Sequence, residues 1–172
     1  LHGRAKPVIA AVNGLAAGGG FELVLAADLV VAAEHARFSL PEATLGIMAD
    51  AGGVLRLPRR LPRPLATELL LTGRPMSAAE AFERGLINRV APAGQALDEA
   101  MRLATAVTAA APLAAAAALE VLDATQAGSV KDGFALLRSG RLPRYAAMLS
   151  SHDAAEGPAA FAEKRPPRWQ GR

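Results

Sequence analysis

Short apolar runs bounded by turn residues mark the first part of the chain. Residues 8–12 (VIAAV), between Pro7 and the Asn13-Gly14 pair, predict a buried strand. Gly18, Gly19 and Gly20 then open the apolar segment FELVLAA, which predicts a glycine loop entering a helix. LVVAA (29–33) and ARFSL (36–40) predict two further short strands. Strand, glycine loop, helix and strand in that order is an α/β signature.

After Pro41 the pattern turns to helices and turns. Asp50-Ala-Gly-Gly precedes a basic amphipathic stretch, and residues 64–72 predict a helix ended by Gly73. Ser77-Ala-Ala-Glu80 fits a capping box, for a helix that stops at Gly85. LINRV (86–90) predicts one more strand. Everything beyond residue 95 reads as helical, with Pro112 dividing the alanine-rich run 109–118 into two helices. Ser129 with Asp132 signals a further helix start, and residues 153–165 form an amphipathic tail. Two regions are expected: 1–95, sheet-rich and carrying the candidate acids, and 96–172, a helical region packing over its own core or a neighbouring subunit.

Composition narrows the classes. Aromatic residues are only 4% of the chain, so the core is expected to be built from Ala, Leu and Val. There is no cysteine, which excludes disulfides and thiolate metal sites. His2, His35 and His152 lack metal-ligand spacing, so no metal is expected. The net charge of +3 comes from clusters: Arg56, Arg59, Arg60 and Arg63, then Lys164, Arg165 and Arg168. They fit solvated faces or attraction for a polyanion. One Trp, one Tyr and no basic-aromatic alternation argue against nucleic acid. The most apolar window, 15–33, contains Glu22, Asp28 and three glycines, which argues against a membrane span. Without an apolar leader the expected location is the cytoplasm. A first residue of Leu suggests a fragment or a processed product.

Glu22 is the first candidate for chemistry. A carboxylate in an apolar helix is costly to bury, so it must be paired or held protonated. Glu42 follows twenty residues later, after Pro41, where a strand return could bring the two acids together. The glycine turn lets backbone approach a ligand closely, and N–H groups at a helix start can stabilise an oxyanion. No Gly-Lys-Ser/Thr follows, which excludes a P-loop.

These residues carry a resemblance. KPVIAAVNGLAAGGGFELVLAADLVVAAEHARFSLPEATLGI (6–47) closely resembles the enoyl-CoA hydratase/isomerase (crotonase) family signature. GRPMSAAEAFERGLINRV (73–90) and EGPAAFAEKRPPRW (156–169) extend the likeness almost to the end. Within the family it is greatest to the carnitinyl-CoA dehydratases, through RLPRRLP (56–62), RSGRLPRY (138–145) and FAEKRPPRWQGR (161–172).

The resemblance implies an α/β fold with a crotonase (ClpP-like) spiral β-β-α core, a C-terminal helical region and a missing N-terminal part. It implies a hydro-lyase of fatty-acid or carnitine metabolism, adding or removing water across an enoyl-CoA double bond, and the closer likeness implies the pair crotonobetainyl-CoA and carnitinyl-CoA. Coenzyme A would belong to the substrate, and no cofactor is expected. The assembly would be a homotrimer or a dimer of trimers. Glu42 would exchange the proton at the α-carbon and Glu22 orient or activate water at the β-carbon. Gly19, beside Gly18, would supply one oxyanion N–H and the missing part the second. The alternatives are a short-chain enoyl-CoA hydratase, an isomerase that keeps one acid, and a non-catalytic oligomerisation or binding fragment. Ala49 stands where the related dehydratases usually carry Pro. Asp50 either favours a trimethylammonium group or caps the next helix. Lys164 and Trp169 either reach CoA phosphates and adenine or form a solvated, packed tail. Asp153 and Glu156 read as acids in a first helical turn, where the macrodipole favours them.

Overall fold

The computed structural model describes residues 4–172, so His2 lies outside the described residues. The chain winds so that successive turns add strands to two small sheets. Strand β1 (Ile9–Val12) bends at Asn13-Gly14 into β2 (Leu15–Ala17), and helix α1 (Gly19–Ala26) carries the chain back. The second turn repeats this with β3 (Leu29–Ala33) and β4 (Arg37–Ser39). β3 lies parallel to β1 with Leu29 opposite Ile9, and β4 lies parallel to β2 with Arg37 opposite Leu15. Parallel neighbours need a crossover, and α1 supplies it. Later, β5 (Met76–Ser77) joins β4 antiparallel and β6 (Arg89–Ala91) joins β3 parallel. The two sheets are therefore ordered β1-β3-β6 and β2-β4-β5.

β3 reads LVVAA without polar alternation because it is the central strand of a parallel sheet, covered on both faces. Phe21 of α1 and Phe38 of β4 are both buried, with ring centroids 5.3 Å apart. Leu25, Val30, Leu40, Leu57 and Met76 complete that core. This packing turns the Phe21 face of α1 inward, and the next residue is Glu22.

The chain divides into two compact units, residues 8–104 and residues 4–7 with 105–172. The first also contains α2 (Gly53–Arg60), α3 (Arg63–Thr72) and α4 (Ala78–Glu83). The second holds α6 (Pro112–Thr125), α7 (Val130–Leu137), α8 (Pro143–Leu149) and α9 (His152–Ala162); α5 (Ala96–Thr108) spans the division. Among the described residues no single helix is long and apolar enough to cross a membrane.

Several local expectations need correction. β2 gave no signal because three residues are too few for a period to show. The strand in LINRV begins only at Arg89, while Leu86 and Ile87 fill the core ahead of it. Ser77 caps α4 through the Glu80 N–H, but the Glu80 carboxylate turns to Arg74, at 2.9 and 3.1 Å. A charged bidentate partner outcompetes a neutral backbone donor. The box at Ser129 and Asp132 forms in full.

In the helical unit, Pro112 starts α6 at its first turn, where its missing N–H is of no consequence. Glu120 of α6 accepts the N–H groups of Arg144 and Tyr145 at the start of α8. Of the two acids expected in the first turn of α9 only Asp153 lies there, Glu156 coming after it, and together they fasten the tail. Asp153 accepts from Gln170 N and Gly171 N at 2.8 and 2.9 Å, and these bonds hold its pKa below the usual carboxylate range. Glu156 takes a bidentate pair from Arg165 and the Arg168 N–H. Trp169 donates from its indole to Ala109 O at 2.9 Å, and its ring lies against Gly157.

The Arg165 pair, helped by the Arg168 N–H, brings the Glu156 carboxyl down to about 2. A depressed carboxyl stabilises the fold above its unfolded value of 4.5 and loses that contribution as pH falls towards 2. Fluorescence of Trp169, the sole tryptophan, should therefore report release of the tail across that window. Glu156→Gln should flatten the response; an unchanged acid transition would refute the assignment.

Candidate active site

The site starts at the N-terminus of α1. Gly18 caps the helix at φ 54°, in the region that favours glycine. A Cβ there would stand 3.1 Å from Glu42 Oε1, so the bare backbone is also what admits that carboxylate. The Gly18 N–H is spent on Ser39 O at 3.0 Å, which ties the turn to the end of β4. The first helical bond runs from Glu22 N to Gly18 O. The N–H groups ahead of it have no intrahelical acceptor. Gly19 and Gly20, the first two helical residues, are both exposed.

Glu22 lies in the first turn of α1 and is only 5% exposed. There its Oε1 accepts the Gly53 N–H at 2.8 Å. That donor heads α2, so the carboxylate also meets the positive end of a helix dipole. Gly53 has no room for a side chain. A Cβ would lie 2.8 Å from Ala49 Cβ and 3.1 Å from both Glu22 Oε1 and Leu40 Cδ1.

Glu42 reaches the same helix turn by another route. β4 ends at Ser39, and Pro41 sets the first turn of a 3₁₀ helix (Pro41–Leu45) that is closed by left-handed Gly46. Gly73, left-handed after α3, packs so closely beneath it that a Cβ would stand 2.9 Å from Pro41 Cα. Glu42 Oε1 then lies beside Gly18, while Oε2 is shielded from solvent and has no hydrogen-bond partner among the described residues. β4, parallel to β2, delivers Glu42 to Gly18, the cap of the helix whose first turn carries Glu22.

The other expected residues fall elsewhere. Asp50 does not cap α2; the cap position is Gly52, with no side-chain bond, and Asp50 is exposed in the turn just before it. Lys164 and Trp169 belong to the helical unit. Lys164 is exposed with φ 54°, and Trp169 makes the packing contacts described above. Sequence reasoning missed Gly53 and Gly73 as parts of the site. The Gly-Gly pair was visible as a helix start, but nothing in it says which acid its amide serves. Among the described residues no group of three or more His, Asp or Glu is placed to hold a metal.

A family model described as Enoyl-CoA hydratase/isomerase matches residues 1–172. Carnitinyl-CoA dehydratase of Proteus mirabilis is 54% identical over 167 residues, 97% of this chain and 64% of that protein. Carnitinyl-CoA dehydratase of Salmonella agona is 55% identical over 167 residues, with the same two shares. The chain thus spans 64% of the length of these curated relatives. Among solved structures, an enoyl-CoA hydratase from Mycobacterium tuberculosis superposes with a TM-score of 0.91 at 44% identity, over 99% of this chain and 66% of that one. An enoyl-CoA hydratase from Bacillus anthracis gives 0.90 at 39% identity, over 98% and 64%.

The glycines should respond differently to substitution. Gly53→Ala is expected to cost about 1–3 kcal/mol of stability through overpacking. Gly20→Ala, where a Cβ meets nothing within 4 Å, should be neutral or stabilising by up to about 1 kcal/mol. Urea denaturation of the full-length gene product measures both, and equal effects would contradict the geometry.

Proposed function

Because this chain belongs to the enoyl-CoA hydratase/isomerase family, we propose that it carries the acid pair of an acyl-CoA hydratase/dehydratase. The observation that carries this reading is Glu42 Oε2, a sheltered carboxylate oxygen with no hydrogen-bond partner among the described residues, beside the turn that bears a second carboxylate. A buried acceptor left unpaired costs about 1–3 kcal/mol, so it calls for an explanation, and a catalytic role is one. An isomerase needs to move one proton and can manage with one acid. Water addition asks for two, one at each carbon.

In hydration the water oxygen bonds to the β-carbon and the π pair moves towards the thioester carbonyl. The Gly19 N–H stabilises the resulting enolate oxygen as one of two donors. Glu42 passes a proton to the α-carbon, and the proton leaving the water, oriented by Glu22, restores the pair. One hydroxyl and one proton are added, both acids end as they began, and neither metal nor redox cofactor takes part. Dehydration is the same path reversed.

The names of the similar dehydratases favour carnitinyl-CoA and crotonobetainyl-CoA as the substrate pair. Asp50 supports this: with its side chain free of the helix cap, it offers a negative charge beside the turn that holds Glu22. Lys164 and Trp169 are proposed as contacts to the CoA phosphates and adenine, the exposed Lys164 ammonium being the stronger candidate. A homotrimer or a dimer of trimers is the proposed assembly, supported by exposed Leu45, Ile47 and Met48 just beyond Glu42. The cytoplasm is the proposed location.

Loss of enoyl-thioester absorbance with the full-length gene product tests the reading, comparing crotonobetainyl-CoA with crotonyl-CoA. Glu22→Gln and Glu42→Gln should each lower kcat by about 10²–10⁴-fold; tolerance of either would point to an isomerase. Asp50→Asn should narrow the preference for the cationic substrate, and an unchanged ratio removes Asp50 from the argument.

A further inference from the structure

Arg56 has no part in the chemistry described above, yet it touches both sides of the turn that serves Glu22. Gly52, just before α2, has φ 124° and ψ −2°, a conformation that L side chains rarely adopt. Its bare face is covered by the Arg56 guanidinium: a Cβ on Gly52 would lie 1.7 Å from Nη1 and 2.9 Å from Cζ. Nη1 also donates to Ala51 O at 3.3 Å. The backbone N–H of Arg56 donates to Gly52 O at 2.8 Å. The Arg56 side chain therefore holds the peptide plane before Gly52, while the main-chain N–H groups of Arg56 and Leu55, the latter at 3.2 Å, hold the plane after it. That second plane carries the Gly53 N–H, which reaches Glu22 Oε1 at 2.8 Å.

We propose that Arg56 is a positioning residue for Glu22, acting through the Gly53 amide. Its effect on turnover rests on the hydratase reading above; the contact itself does not. A glycine pair leaves the backbone free to rotate, and rotation of the 52–53 peptide would swing the donor off the carboxylate. Arg56 removes that freedom by covering the one face that glycine leaves open while gripping the preceding carbonyl. The planar fork of Arg can do both at once, whereas the single ammonium of Lys has one compact head to place. The glycine at 52 is thus required twice, for its backbone conformation and for the space that Arg56 fills. No contact of Arg56 with substrate enters the argument.

The test combines hydrogen–deuterium exchange over residues 49–57 with steady-state kinetics, on the full-length gene product and its Arg56→Met and Arg56→Lys variants. Arg56→Met should speed exchange in that segment by about 10-fold while α3 and α9 keep their rates. It should lower kcat by about 10–100-fold and leave KM within about 2-fold, as expected when water is misplaced and substrate binding is not. Arg56→Lys, keeping the stem and a donor, should recover part of both losses. Unchanged exchange in Arg56→Met overturns the proposal, as does faster exchange with unchanged kcat. If Arg56→Met does not fold, Arg56→Lys decides: intermediate exchange and kcat support the proposal, and wild-type values overturn it. Should the wild-type protein hydrate no enoyl-CoA, the hydratase reading fails, and the exchange rates alone decide whether Arg56 holds the turn.

Discussion

A carboxylate inside an apolar helix has to find a donor, and much of the first unit is arranged around that requirement. Glu22 finds one in the Gly53 amide at the head of α2. Delivering a helix N-terminus to the first turn of another helix demands close backbone approach, which is why position 53 cannot carry a side chain. The far end of α2 is tied as well, since Arg60 donates to Ala27 O at the C-cap of α1. α2 thus grips α1 at both ends. The buried Phe21–Phe38 contact prevents α1 from turning about its own axis.

Glu42 is placed by the sheet. The parallel pairing of β2 with β4 sets the end of β4 beside the start of α1, and the Gly18 N–H to Ser39 O bond pins that junction. Pro41 and Gly73 then fix how the chain leaves the strand. Two carboxylates arrive at one helix turn by independent routes, one along the helix and one along the sheet. Their environments differ: Glu22 is buried and paired, whereas Glu42 keeps an oxygen unpaired. An unpaired buried oxygen opposes stability, and the surrounding glycine packing and strand register hold it in place.

The helical unit uses its charges differently. Glu120, Asp153 and Glu156 are each satisfied by backbone N–H groups or by Arg165, and each fastens one segment to another. These acids are structural clasps. Composition alone does not separate them from Glu22 and Glu42, because both kinds are acidic residues in helical or turn segments.

The sequence by itself determined the α/β order, the glycine turn opening α1, the break at Pro112 and the Ser129 cap, and it made Glu22 conspicuous. These are local properties: breakers, caps and short apolar runs act within a few residues, and a carboxylate in an apolar helix is conspicuous wherever it folds. What only the tertiary structure decided was which groups meet. That Gly53 serves Glu22, that Glu80 answers Arg74 rather than its own cap, that Asp50 leaves α2 uncapped and that Asp153 holds the tail all depend on contacts across the folded chain. A hydrogen bond is sensitive to tenths of an ångström and to angle. Sequence spacing carries neither, so the partners were settled only once strand register and helix packing had fixed the backbone.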